Sequence, residues 1–511
     1  MCALENKKMP LPTGRFDFWR HRTEVMDFLL ASSESEEDVG GESSCSEAEA
    51  DQNLQLLHQA DDSDNSSQSE DAGATDTQSD AETSGNEEAS DQQNTVLGKD
   101  KVTVWSLLEP KKAIRTRRRN IVKVKAGLTD TSKGVSDIAE CWSLFVTDSM
   151  IEEITLRTNA KVDQERAKWS DKTQVGNTCK TEIKALIGLL YLAGVMKSNR
   201  HNLEDLWATD GTGVEIFRET MSMQRFKFLL RCLRFDDSIS RETRKAVDKL
   251  APIRDIFESF RQNCIQHYSI SEFVTIDEKL EGFRGRCSFR QYIPNKPAKY
   301  GLKLFAAVDA KTFYTSNLEV YVGQQPAGPY QQSNKAEDIV IRLIQPISGS
   351  SRNITVDNWF TTFNLAKTLL EDHQLTLVGT VRKNKKELPP QFVNTSGREE
   401  YTAMFGFTSN STIVSYIPKK KKNVILLSTM HHDAKIDSDT GEKKKPDIVT
   451  FYNSTKGGVD TADELCETYS VTRKSRRWPL TIFFSVLNMA GVNAQIIYNA
   501  NTGNQLCKIM K

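Results

Sequence analysis

The strongest restriction on how this chain can fold is a segregation of charge. Residues 31–98 hold 19 Asp and Glu and no Lys or Arg. The chain has 511 residues, with 68 Lys and Arg against 69 Asp and Glu and a formal net charge of −1. Setting the acidic stretch aside leaves 50 acids against 68 bases, so the remainder carries +18. Residues 31–98 also lack aromatics and have few aliphatics. Such a segment buries too little apolar surface to offset its ordering entropy. The sequence therefore predicts a disordered acidic region over 1–110 joined to a basic folded body. Phe16, Phe18, Trp19, Met26, Phe28, Leu29 and Leu30 mark one amphipathic helix candidate ahead of the acids.

Several classes are excluded at this level. The longest apolar run, Ala185–Met196, is too short to cross a bilayer, and Met1–Pro10 is polar and unlike a secretory signal. No membrane association is expected. The nine cysteines include no CxxC pair, which argues against a zinc ribbon and a disulfide framework and fits a reducing compartment.

A basic linker follows at 111–130. Lys111, Lys112, Arg115, Arg117, Arg118, Arg119, Lys123 and Lys125 lie together without an acid. This run fits a nuclear-import signal, a nucleic-acid contact or a solvated linker. From 131 to 270 the pattern is helical. Segment 181–197 is strongly apolar, and 214–234 places Ile216, Met223, Phe226, Leu229, Leu230 and Leu233 near one helical period.

The texture changes at 271–382. Phe273–Ile276, Gly301–Val308 and Thr312–Val322 read as strands, Ala336–Pro346 as a helix, Asn353–Val356 as a strand, Phe360–Asp372 as a helix and Leu375–Val381 as a strand. That order predicts an α/β fold with a mixed sheet. Residues 383–447, rich in lysine with β-prone runs at Thr412–Tyr416 and Val424–Leu427, read as a β-rich insertion. Gly457 and Gly458 open a helix within 448–466, and Ile482–Tyr498 is a further helix within 467–511.

Three acidic positions suit chemistry. Asp277 ends the run FVTID, Asp357 ends the run NITVD, and Asp460 starts a helix with Asp463 three residues on, on the same face. Hard oxygen ligands converging from strand ends and a helix suit Mg²⁺ or Mn²⁺. A pair of such ions can clamp the attacking and leaving oxygens of an in-line phosphoryl transfer. An Asp at a strand end equally serves as a turn residue or N-cap.

Longer strings narrow this choice. YNSTKGGVDTADELCETY (Tyr452–Tyr469), RKSRRWP (Arg473–Pro479) and LNMAGVNAQIIY (Leu487–Tyr498) closely resemble piggyBac-type transposases. So do TIDEKLEGF (Thr275–Phe283), RQYIPNKPAK (Arg290–Lys299), TVDNWF (Thr355–Phe360) and VGTVRKNKKEL (Val378–Leu388). The resemblance runs in one order from about 136 to 500.

It implies an RNase H-like catalytic core, 271–382 and 448–466, interrupted by the insertion at 383–447. It also implies a mostly helical DNA-binding and dimerisation domain from 131–270 and 467–511. The implied catalytic and metal-holding acids are Asp277, Asp357 and Asp460, with Asp463 as an additional metal-site acid and two Mg²⁺ or Mn²⁺ ions. Arg382, Lys385, Lys386, Lys456, Arg473, Lys474 and Trp478 are the implied DNA-binding residues. The implied reaction is cut-and-paste transposition: strand cleavage, hairpin formation and joining at TTAA, carried out on double-stranded DNA by a nuclear homodimer. The family's usual cysteine-rich zinc module has no counterpart here, since only Cys507 follows Cys466 and no zinc-ligand spacing occurs. The alternative is a transposon-derived DNA- or chromatin-binding protein without productive transposition.

Overall fold

A computed structural model describes residues 94–110, 121–169, 174–294 and 296–503. The expected disorder of 1–93, the helix candidate at 16–30 and residues 111–120 of the basic linker lie outside the described residues.

The centre of the fold is one 11-stranded sheet. Its strands include β1 (Phe273–Gly282), β2 (Tyr300–Asp309), β3 (Thr315–Val320), β4 (Asn353–Val356) and β5 (Thr376–Thr380). They lie side by side as β3-β2-β1-β4-β5. Strands β1, β4 and β5 are parallel, whereas β1-β2-β3 is an antiparallel meander. Strand β4 is buried at every position, as expected of a central parallel strand covered on both faces. The insertion does not form a separate body. Its strands β6 (Ala403–Phe407), β7 (Thr412–Lys419) and β8 (Lys422–Ser428) pair antiparallel, and β8 continues the sheet from β5.

Among the described residues, nine longer helices pack on the sheet or on one another. They are α1 (Asp148–Arg166), α2 (Lys180–Val195), α3 (Met223–Cys232), α4 (Arg254–His267), α5 (Ala336–Ile344), α6 (Phe363–Glu371), α7 (Asp447–Thr455), α8 (Gly458–Thr468) and α9 (Trp478–Thr502). Local capping explains several starts. The hydroxyls of Thr147, Ser222 and Thr362 accept the backbone N–H groups of Met150, Arg225 and Leu365.

Helix α9 is apolar and 25 residues long, enough by length and composition to cross a membrane. It is instead a core helix, with 83% of its most apolar window buried. Tyr191 of α2 donates to the Leu487 carbonyl of α9, and Asn493 of α9 clasps Thr315 of β3. Helices from before and after the sheet strands thus pack onto one another and onto the sheet.

Three local expectations differ from the structure. The strand bearing Asp277 does not end there; β1 runs on to Gly282 because β2 keeps pairing with it. Segment 214–234 is not one helix. Met221 is extended (φ −162°, ψ 159°), and Ser222 caps a new start at α3, which apolar spacing does not register. Residues 94–108 are ordered, although they close a stretch read as disordered. Thr95–Leu97 and Val104–Ser106 form a hairpin, with Ser106 beside Phe407 of β6. Trp105 is fully buried, packs edge-on to Phe363, and donates to the Glu387 carbonyl at 2.9 Å. A single indole thus supplies the apolar burial that the neighbouring composition lacks.

Candidate active site

The register of the parallel strands sets the first pair. Ile276 lies opposite Val356, so the next residues, Asp277 on β1 and Asp357 just past the end of β4, come side by side. Asp277 accepts the Glu278 backbone N–H at 2.8 Å, and Asp357 accepts that of Trp359 at 2.9 Å. Asp357 therefore does serve as a turn residue, and that role coexists with its place beside Asp277.

Both carboxyls titrate high. Burial pushes Asp277 up to about 7, opposed by the Glu278 N–H and reinforced by repulsion from Asp357, Glu278 and Asp460. Burial also raises Asp357, with Glu278 adding repulsion and Arg382 opposing it. Two carboxyls raised chiefly by burial, with further acids beside them, suit a cation, because positive charge there would relieve both penalties.

Helix α8 brings in the third carboxylate. It packs on the face of β1 from which Thr275, Asp277, Lys279 and Glu281 project, since alternate strand residues share a face. Gly458 permits this approach: a Cβ there would lie 2.3 Å from the Thr275 hydroxyl oxygen. Asp460 lies close enough to Asp277 to raise it, yet its side chain is 68% exposed, with Lys296 Nζ at 3.6 Å. Asp463 is held differently. Its Oδ1 lies 2.6 Å from the Nζ of Lys279, whose ammonium is also 3.0 Å from Glu281 Oε1. Burial alone would lower Lys279; the surrounding Cys466, Glu281 and Asp463 raise it well above the ordinary range. Among the described residues, no three His, Cys, Asp or Glu side chains form a ready-made metal cluster.

The expected DNA-binding residues are dispersed. Arg382 is beside the carboxylates, its Nε 3.4 Å from Asn358 Oδ1. Lys385 and Lys386 follow in a loop on which the 94–108 hairpin rests: Asp100 N–H donates to the Lys386 carbonyl and Lys99 Nζ to that of Lys383. Lys456 is exposed between α7 and α8, over the Tyr452 ring. Lys474 is exposed. Arg473 turns inward, donates to the His201 carbonyl at 2.7 Å, and is lowered to about 10 by burial. Trp478 is partly buried at the start of α9, edge-on to Phe289 at 5.0 Å.

Other residues at the site escaped the sequence reading. Lys296 donates to the Glu278 carbonyl as well as facing Asp460. Lys303 lies 3.3 Å from Glu278 Oε2 and over the rings of Phe305 and Trp359. Tyr452 is raised by burial and, to a smaller extent, by the charges of Asp357 and Asp277. Lys279 was legible in principle, because Asp277, Lys279 and Glu281 alternate in the sequence.

Comparison with known proteins identifies the fold and the family. A solved structure described as a piggyBac transposase synaptic complex with hairpin DNA superposes with a TM-score of 0.71. It is 41% identical and covers 76% of this chain and 80% of its own. The fold is accordingly mixed α/β with an RNase H-like catalytic core. Residues 137–495 match the Transposase IS4 family. The chain belongs to that family and is of the piggyBac type. Two human proteins are 23% identical over 365 residues, 68% of this chain. They are piggyBac transposable element-derived protein 3, covered over 59% of its length, and the chimeric ERCC6-PGBD3 protein, covered over 33%. The chain thus spans less than two thirds of either human relative.

Proposed function

We propose that this chain is a cut-and-paste DNA transposase that cleaves and joins strands at one carboxylate site. The observation that carries the reading is that strand register sets Asp277 beside Asp357, with Asp460 of α8 close to Asp277. Asp277, Asp357 and Asp460 would hold Mg²⁺ or Mn²⁺. Two such ions supply Lewis-acid charge to the attacking and leaving oxygens of a phosphodiester. Arg382 and Lys296 lie beside the carboxylates and Lys456 is exposed between α7 and α8; all three suit the phosphates of a DNA backbone, where cations position the duplex. Water is the first nucleophile. The 3′-hydroxyl it releases attacks the opposite strand to make a hairpin, and the reopened ends join target DNA at TTAA. The hairpin DNA in the solved relative supports the hairpin step. The protein acts in the nucleus as a homodimer, with the basic run at 111–125 suited to import.

The test is excision of a donor segment flanked by matching ends and TTAA, with Asp357→Asn beside wild type. Excision by wild type and none by the variant is expected; equal behaviour of the two would remove the assignment. The second reading is a transposon-derived DNA-binding protein without transposition. It is favoured by the name of the human relative, a transposable element-derived protein. DNA binding without any Mg²⁺-dependent cleavage, beside an active control transposase, would establish it.

A further inference from the structure

Lys279 is a lysine in the core, 5% exposed, two residues from Asp277 on the same face of β1. A buried ammonium without partners is costly, so its surroundings reveal what it does. Asp463 Oδ1 of α8 is 2.6 Å away and Glu281 Oε1 of β1 is 3.0 Å away. Glu281, also 5% exposed, accepts a hydrogen bond from the Ser485 hydroxyl of α9. One ammonium therefore joins β1 to α8 directly and to α9 through Glu281.

Two of the contacts between α8 and β1 are close and specific. Gly458 sits against Thr275 at its first turn, and Asp463 sits against Lys279 five residues later. Two contacts spaced along a helix set both its distance from the strand and its rotation about its axis. Asp460 lies between them. With β1 carrying Asp277, the two contacts fix where Asp460 stands relative to Asp277.

We propose that Lys279 is a positioning residue that holds Asp463 as an anchor, so that α8 presents Asp460, and not Asp463, to the metal-holding carboxylates. This inference rests on the functional reading above and refines it. Asp463, implied by family resemblance to be a further metal-site acid, is here the counter-ion of a lysine. The metal set then reduces to Asp277, Asp357 and Asp460.

The full chain is tested with Mn²⁺ as the probe. Bound ions are counted from the electron paramagnetic resonance of free Mn²⁺, which needs no DNA and no turnover. Loss of a partner that orients metal ligands weakens affinity by roughly 10–100-fold. Lys279→Met is expected to show a fall in that range, and Lys279→Arg to recover most of it. Asp463→Asn keeps an acceptor for the ammonium and is expected to keep wild-type ion number, with affinity within about threefold. Wild-type Mn²⁺ binding by Lys279→Met would overturn the positioning role. If that variant does not fold, Asp463→Asn decides alone: loss of an ion from it would make Asp463 a ligand and overturn the proposal. Asp357→Asn separates the two readings. Unchanged Mn²⁺ binding there would defeat the carboxylate metal site itself, whatever Lys279 does.

Discussion

At the residue scale, the proton on Asp277 governs two measurable properties. Its carboxyl titrates near 7 in the folded chain instead of near 3.8, chiefly because burial disfavours the charge. Between those values the metal-free folded state holds a proton that the unfolded state has lost. This contribution to stability is full below about pH 4 and is lost as pH rises through about 7. Urea unfolding of metal-free protein at pH 5.5 and pH 8 should therefore show wild type losing stability relative to Asp277→Asn at the higher pH. Metal binding has the opposite dependence, because a cation needs the carboxylate; Mn²⁺ affinity should fall as pH drops below 7. For Asp357→Asn we expect strand cleavage to fall by more than the roughly 10–100-fold that loss of a supporting partner costs. Single-turnover cleavage of a labelled duplex measures it. Spacing and resemblance singled out the four aspartates because each sits within a local string. The inward turn of Arg473 was not, since its partner is the distant His201 carbonyl.

At the element scale, close approach and polar clasps hold the site's supports. Replacing Gly458 by Ala puts a methyl against Thr275 and pushes α8 off β1. Overpacking of this kind costs about 1–3 kcal/mol. Thermal unfolding should register that loss, and Mn²⁺ affinity should fall with it because Asp460 moves too. Asn493 is fully buried in α9; its side chain accepts from the Thr315 N–H and donates to the Thr315 carbonyl. Asn493→Leu strands both groups at about 1–3 kcal/mol each, readable as a lower urea midpoint with an unchanged slope. Short-range pattern predicted β4, β5 and α8 well, because period and turn residues are local signals. It did not foresee β1 continuing past Asp277, since that depends on pairing with β2. Nor did it find the hairpin at 94–108, which exists because Trp105 reaches a pocket built by other elements.

At the scale of the whole molecule, the charge division remains the main physical fact. The 19 acids of 31–98 all precede residue 94, where the described hairpin begins. A deletion of 31–93 therefore removes the acidic charge and leaves the hairpin and its contacts with Lys383–Glu387 intact. Such a chain should bind non-specific DNA more tightly at low salt, with a steeper fall in log K against log salt. Equal affinity and slope in a salt titration would mean that the arm does not compete for the basic surface.

The linear order of residues was enough to determine the charge division, the alternation of strands and helices and the strings bearing four aspartates. These follow from composition and short-range periodicity, and each is complete within a few tens of residues. Packing alone settled which carboxylate faces which. Asp277 meets Asp357 through strand register, Asp460 joins them because glycine lets α8 come close, and Asp463 turns to a buried lysine. The physical reason is that a carboxylate's role depends on the charges and burial around it, and those neighbours come from residues far apart in the chain.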